Sequence, residues 1–100
     1  MNNIENISIV VMEECAELQQ AISKYLRFGP NGSNPSGSGH YNAKDILTEY
    51  CQLQAMMEML ISEAHLSNCL TLEEEFAIKN DKMNKFLKYQ KVSKDLGHLE

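Results

Sequence analysis

Apolar side chains recur every three or four residues along residues 4–28, which is the spacing that keeps one face of an α-helix dry. The same period returns over residues 44–67. A weaker one follows Thr71, which forms a capping-box pattern with Glu74. No segment alternates with the period of two that is typical of strands. The pattern therefore predicts an all-α fold with three main helices.

A segment rich in glycine, proline, serine and asparagine separates the first two helical patterns. It gathers four glycines and both prolines of the chain, and these residues favour turns over helix. We predict a loop over residues 29–42, with Asn42 as the N-cap of the second helix. The third helix is predicted over residues 72–95, as a basic C-terminal helix that frays after Lys91.

The size of the chain predicts one domain over residues 1–100. With 100 residues and 43% hydrophobic side chains, a second core would leave neither half enough apolar surface to bury. No apolar run approaches the roughly 20 residues of a membrane-spanning helix, and the N-terminus lacks the basic flank of a signal peptide. We expect a cytoplasmic protein with no membrane partner. The three cysteines form no C-x-x-C pair and are expected to pack as small apolar groups.

Charge is unevenly distributed along the chain. Residues 1–78 carry three basic and eleven acidic residues, a net charge of −8, whereas residues 79–100 carry a net charge of +3. Binding to duplex nucleic acid depends mainly on neutralising phosphates. An acidic chain of this kind is therefore not expected to bind duplex nucleic acid.

The first two helical patterns are too widely apolar for a minimal three-helix bundle. Their apolar residues extend beyond one seam, including Val10, Met12, Met56 and Met59. We predict an antiparallel helix bundle whose four-helix core is completed by a homodimer or a higher homo-oligomer. The alternative is a monomer with a methionine-rich surface.

Acidic residues flank the predicted apolar stripes of both helices. The stripes are centred on Val11, Cys15, Leu18 and Ile22 in the first helix and on Ile46, Tyr50, Leu53 and Met57 in the second. At about 100° per residue, Glu14 and Glu17 lie about 70° and 130° to one side of the first stripe. Glu49 and Gln52 lie about 60° and 120° from the second stripe, on the same hand.

These matching pairs predict a cation site if the two helices pack antiparallel. Three converging carboxylates repel one another unless a cation neutralises them, and Mg²⁺, or alternatively Mn²⁺, prefers oxygen ligands. The alternative is that each pair belongs to a solvated helix face. Glu13 points further round its helix, where it is either solvated or orients a water molecule.

The order Glu13-Glu14-x-x-Glu17, the segment 22–29, the Gly/Pro-rich loop and the segment 47–53 together resemble a known family. They are similar to the MazG-like all-α nucleoside triphosphate pyrophosphohydrolases, in the short single-domain form common in bacteria and phages, over roughly residues 10 to 65. In that family Glu-x-x-Glu and a following Glu-x-x-Asp hold Mg²⁺ against a triphosphate. The resemblance implies that Glu14, Glu17 and Glu49 are metal ligands. Gln52 stands where the family has Asp, and it is expected to be a weak ligand or to support one.

The resemblance implies hydrolysis of a (d)NTP to a (d)NMP and pyrophosphate, and Glu13 is a candidate to orient the attacking water. Lys24 and Arg27 are candidate contacts to the outer phosphates, although cations at a helix C-terminus also suit the helix dipole. Tyr25 is a candidate for stacking on the base. Among the lysines of the third helix, the two candidates to reach a partner's site are Lys79 and Lys82.

The substitution of Gln52 for Asp leaves alternatives open. A second hypothesis is a non-catalytic nucleotide-binding or partner-binding helical protein with a degenerate metal site. A third is a purely structural helical dimer.

Overall fold

The computed structural model describes residues 2–31, 41–95 and 97. These residues form three α-helices and no strand, which confirms the all-α class. The helices are α1 (Asn3–Phe28), α2 (Tyr41–Glu63) and α3 (Leu72–Asp95). In the described part of the chain, no helix combines the length and the apolar character needed to cross a membrane.

Helix α1 has a defined cap at each end. The Asn2 side chain accepts a hydrogen bond from the Glu5 backbone N–H at 2.8 Å, which satisfies one of the free donors of the first turn. At the other end, Gly29 adopts a φ of 80° and donates its N–H to the Tyr25 carbonyl at 2.8 Å. This left-handed backbone favours glycine and ends the helix one residue after Phe28.

Helix α2 begins at Tyr41, so the prediction that Asn42 is its N-cap was wrong. Asn42 lies inside the helix and is only 7% exposed. Its Nδ2 donates to the Gly29 carbonyl at 2.9 Å, and its backbone N–H donates to the Pro30 carbonyl at 2.9 Å. Asn42 therefore links the start of α2 to the end of α1. Within the predicted loop, residues 32–40 lie outside the described part of the chain.

The end of α2 also differs from the predicted boundary near residue 67. The helix ends at Glu63, and His65 adopts a left-handed φ of 57°. The Leu66 N–H donates to the Ile61 carbonyl at 2.8 Å, which satisfies a free carbonyl of the last turn. This backbone cap closes the helix although the apolar period continues beyond it.

Helices α1 and α2 run antiparallel. The Asn3 Nδ2 at the start of α1 donates to a Glu63 carboxylate oxygen at the end of α2, at 2.8 Å. The Asn42–Gly29 hydrogen bond joins the opposite ends. Between them, Ile7, Val11 and Ala21 of α1 are buried. The facing stripe of α2 is half-buried and includes Ile46, Leu53, Met57 and Leu60.

The chain divides into two compact units, Met1–Leu66 and Ser67–Glu100. The second contains α3, which opens with the predicted capping box: Glu74 N–H donates to Thr71 Oγ1 at 3.1 Å, and Thr71 N–H donates to Glu74 Oε1 at 3.0 Å. The helix continues to Asp95, at the predicted bound, and the fraying expected after Lys91 stays a prediction. Every described side chain of α3 is exposed except Gln90, which is half-buried. The single domain over residues 1–100 stays a prediction.

The prediction that the cysteines pack as apolar groups was wrong. Cys15, Cys51 and Cys69 are all free and exposed. Cys15 was placed at the centre of the α1 stripe because of its spacing from Val11 and Leu18. The helix is rotated so that another residue occupies that place on the packed face.

Candidate metal-binding carboxylate cluster

Glu14 occupies the place on α1 that was predicted for Cys15. The packed residues of α1 follow the spacing 7, 11, 18 and 21, and Glu14 completes that series of alternating steps of four and three. Glu49 takes the corresponding place on α2, between Ile46 and Leu53. Both glutamates are half-buried. They lie within the packed stripes, so the prediction that they lie 60° to 70° to one side of the stripe centres was wrong.

The structure brings Glu14, Glu17 and Glu49 together, as the spacing predicted. One carboxylate oxygen from each can be chosen so that all three atoms lie within 4.8 Å of one another. Glu17 is exposed, so the group opens to solvent on its side. Glu14 and Glu17 lie one turn apart on α1, and Glu49 approaches them from α2.

Two oxygens of this cluster lack hydrogen-bond partners. Glu14 Oε2 and Glu49 Oε2 are shielded from solvent, and neither receives a hydrogen bond from any described residue. A buried carboxylate oxygen without a donor is costly, since it loses water and gains nothing in return. A bound cation would satisfy both atoms, so the donor set fits a divalent metal with oxygen ligands.

The pKa of Glu49 is raised above its ordinary value of 4.5. Loss of solvent around the side chain is the largest cause, followed by hydrogen bonding with Glu17 and by repulsion from the charges of Glu17 and Glu14. Each of these causes disfavours the ionised form of Glu49. A positive charge in the cluster would act in the opposite direction.

A pocket of about 360 Å³ opens beside the cluster. Glu17 and Glu49 line it, and Lys24 supplies a cation about two turns after Glu17 on α1. The remaining lining residues are Gln20, Ala21 and Asp45. The pocket therefore places a lysine within the same small volume as three carboxylates, an arrangement that could receive an anion together with its metal.

Sequence reasoning did not identify Asp45 as a site residue. It lines the pocket with Glu49, which follows it by four residues on α2. Residues separated by four positions share a helix face, and this spacing was the available signal. Asp45 precedes Glu49 on α2, whereas the predicted partner Gln52 follows it.

The other predicted residues lie outside the carboxylate cluster. Glu13 is exposed and does not belong to it, and Gln52 is exposed one turn after Glu49. Tyr25 and Arg27 are exposed near the end of α1, where the Arg27 guanidinium lies 5.2 Å from the centre of the Phe28 ring. The last two candidates, exposed on α3 in the second unit, are Lys79 and Lys82.

A larger concavity of about 530 Å³ lies on α3. Its lining residues are Ala77, Ile78, Asn80, Asp81 and Asn84. All five belong to one exposed helix, and Asp81 forms an ion pair with Lys85 at 3.1 Å. The concavity is therefore an open surface of a single helix, whereas the carboxylate cluster is formed by two packed helices and is the better candidate site.

Comparisons of this chain with family models, with curated proteins and with solved structures find no match.

Proposed function

We propose that this chain is a Mg²⁺-dependent nucleoside triphosphate pyrophosphohydrolase, with Mn²⁺ as an alternative metal. The observation that carries the proposal is the meeting of Glu14, Glu17 and Glu49 from two helices, with two buried carboxylate oxygens that lack partners among the described residues. The resemblance of the sequence segments to MazG-like enzymes supports the same function.

Glu14, Glu17 and Glu49 would hold the metal through carboxylate oxygens. The exposed Gln52, one turn from Glu49, would contribute an amide oxygen or support a ligand. When bound, the cation neutralises negative charge on the triphosphate and on the transition state. Because Gln52 is neutral, the site carries one negative charge fewer than a site with Asp at that position.

The remaining candidate residues bind and orient the substrate in this proposal. Lys24 contacts the phosphates, because it lines the pocket beside the cluster. Arg27 and Tyr25 lie further along α1 and contact the outer phosphates and the base. Glu13 orients the attacking water from the solvent side. Asp45, which lines the same pocket, orients Lys24 through its opposite charge.

The proposed reaction breaks one phosphoric anhydride bond. Water attacks the α-phosphorus of a (d)NTP, the bond from that phosphorus to the bridging oxygen breaks, and pyrophosphate leaves with that oxygen. The water oxygen remains on the (d)NMP, and its protons pass to a carboxylate or to solvent. No oxidant or reductant is required.

The proposal also includes a homo-oligomer whose copies complete a four-helix core. Large apolar side chains of α1 and α2 remain exposed in the single chain, among them Met12, Leu26, Leu47 and Met59. Contiguous apolar patches on one chain favour burial against another. Lys79 and Lys82 would then reach a neighbouring copy's substrate.

The decisive experiment is incubation of the purified chain with a panel of NTPs and dNTPs in Mg²⁺ or Mn²⁺. We expect release of the monophosphate and pyrophosphate in equal amounts, and loss of activity with a chelator. Glu49→Ala should lower kcat/KM by at least about a hundredfold, as expected when a metal ligand is removed. Glu58→Ala, at an exposed position on the same helix, is the matched control. Equal activity of the Glu49→Ala and Glu58→Ala proteins would refute the assignment.

Gln52 favours a second candidate function, a non-catalytic helical protein that binds a nucleotide or another partner. Substitution of a carboxylate by an amide lowers the affinity of an oxygen site for a hard cation. The Gln52→Asp variant separates the two functions. Activity already present with Gln52 supports the enzyme, whereas hydrolysis that appears only in Gln52→Asp identifies a degenerate site.

A further inference from the structure

Helix α3 exposes an apolar stripe along one side, and three further large apolar residues, Ile78, Tyr89 and Val92, are exposed on the other side. At about 100° per residue, the five large apolar members of the stripe fall within an arc of about 100°. They are Leu72, Phe76, Met83, Phe86 and Leu87. The exposed fractions of Leu72 and Phe76 reach 83% and 71%. An amphipathic helix normally buries such a face.

The charges of α3 are segregated along its length. Its first turn contains Glu73, Glu74 and Glu75. The rest of the helix carries two acidic residues, Asp81 and Asp95, and six lysines at every third position, which are Lys79, Lys82, Lys85, Lys88, Lys91 and Lys94. A parallel pair of such helices would place like charges together, whereas an antiparallel pair would place the acidic turn of each copy against the lysines of the other.

The stripe and the charges agree in register. Glu73 and Lys91 lie on the same flank of the stripe, each about 80° from its centre. With the two-fold axis at Lys82, an antiparallel pair places Glu73 of each copy opposite Lys91 of the other. The same register places Phe76 opposite residue 88 of the second copy, within one turn of Phe86 and Leu87. Lys79 and Lys94 interrupt the stripe, and their aliphatic stems can lie along the apolar contact while their charges reach water.

We propose that α3 is a self-association surface, on which α3 of a second copy of this chain packs antiparallel. The stripe spans residues 72–87, which is just over two heptads. This surface is separate from the apolar residues of α1 and α2, and the proposal does not depend on hydrolytic activity.

The test is sedimentation equilibrium of the full chain and of paired charge-reversal variants. The first variant is Glu73→Lys, which keeps Glu74 and therefore the capping box. The second is Lys91→Glu. Each should weaken self-association by about tenfold or more, since like charges then meet in the antiparallel pair. An equimolar mixture of the two variants should restore association, because opposite charges meet again in the mixed pair.

The matched control is Lys88→Glu. It makes the same change in net charge as Lys91→Glu on the same helix, but on the side opposite the stripe, and should associate like the unmodified chain. Met83→Glu, at the centre of the stripe, should weaken association without loss of helix content by circular dichroism. A chain that is monomeric throughout the micromolar range would overturn the proposal. The proposal would also be overturned if the control variant and the flank variants self-associated equally. It would likewise fail if the equimolar mixture of the two flank variants did not associate.

Discussion

Glu49 is the residue whose environment most constrains the chemistry of this chain. It lies in the packed stripe of α2, where an apolar residue would satisfy the period. Loss of solvent, hydrogen bonding with Glu17 and the charges of Glu17 and Glu14 all raise its pKa. A carboxylate in this position destabilises the folded chain when it is ionised and unneutralised.

This environment predicts a specific pH dependence of stability. Because the pKa of Glu49 is higher in the folded than in the unfolded chain, the folded state binds more protons. The free energy of unfolding should therefore fall as the pH rises from 4.5, the ordinary value, through the raised pKa. Glu49→Gln should remove this loss, so that the variant is more stable than the unmodified chain at pH 7 without divalent ions.

Urea unfolding at pH 4 and pH 7 measures this effect, with Glu58→Gln as the control at an exposed position of α2. The advantage of Glu49→Gln should be confined to the higher pH. An equal change in the free energy of unfolding at both pH values would show that the effect of Glu49→Gln comes from packing and not from charge.

At the scale of the elements, the α1–α2 hairpin is closed by polar groups at its ends. Asn42 is the most buried polar side chain among the described residues and donates to the carbonyl of Gly29. The α2 backbone also donates to Pro30 through Asn42 and Ala43. These bonds set the position of α2 along α1, which determines that Glu49 meets Glu14 and Glu17.

Asn42→Ala should therefore destabilise the hairpin. The variant leaves the carbonyl of Gly29 without its donor and creates a small cavity, at a cost of about 1–3 kcal/mol. Urea unfolding should show the loss, and Gln54→Ala, at an exposed position on α2, should change stability by less than about 0.5 kcal/mol. Equal stability of the two variants would show that the Asn42–Gly29 hydrogen bond makes no net contribution to the free energy of unfolding.

Helix α3 depends strongly on its capping box, because its described side chains contribute little burial. Thr71→Ala should cost about 1 kcal/mol of helix stability, since the Glu74 N–H loses its acceptor. Amide hydrogen exchange in the first turns of α3 should become several-fold faster. Thr71→Ser keeps the hydroxyl and serves as the control, so equal exchange in the Ala and Ser variants would contradict the role of the cap.

At the scale of the whole molecule, stability and metal binding should be linked. A ligand that binds only the folded chain stabilises it by about 2.7 kcal/mol at 100 times its Kd. At that concentration Mg²⁺ or Mn²⁺ should therefore raise Tm by about 10–20 °C for a domain of this size. The rise should be absent in Glu14→Gln/Glu49→Gln and retained in Glu58→Gln. A similar rise in all three proteins would indicate general screening of acidic charge.

Much of this architecture follows from local pattern in the chain. The spacing of apolar residues predicted three helices, and Thr71 with Glu74 predicted the start of α3, because helix period and capping depend on neighbours within a few residues. The pairing of acidic residues on two helices predicted that Glu14, Glu17 and Glu49 would meet. These features can be predicted from local sequence with one assumption about distant contacts, which is that the first two helices pack antiparallel.

Other features depended on how the helices pack against each other. Residue spacing placed Cys15 in the stripe and Glu14 beside it, whereas the rotation of α1 against α2 exposes Cys15 and buries part of Glu14. Asn42 was predicted to be a helix N-cap, but its side chain donates a hydrogen bond to the carbonyl of Gly29, 13 residues earlier in the chain. Asp45 lines the pocket because α2 packs along α1, and the spacing of residues within α2 does not show this. Rotation and axial position are properties of two surfaces in contact, and a one-dimensional period leaves both undetermined.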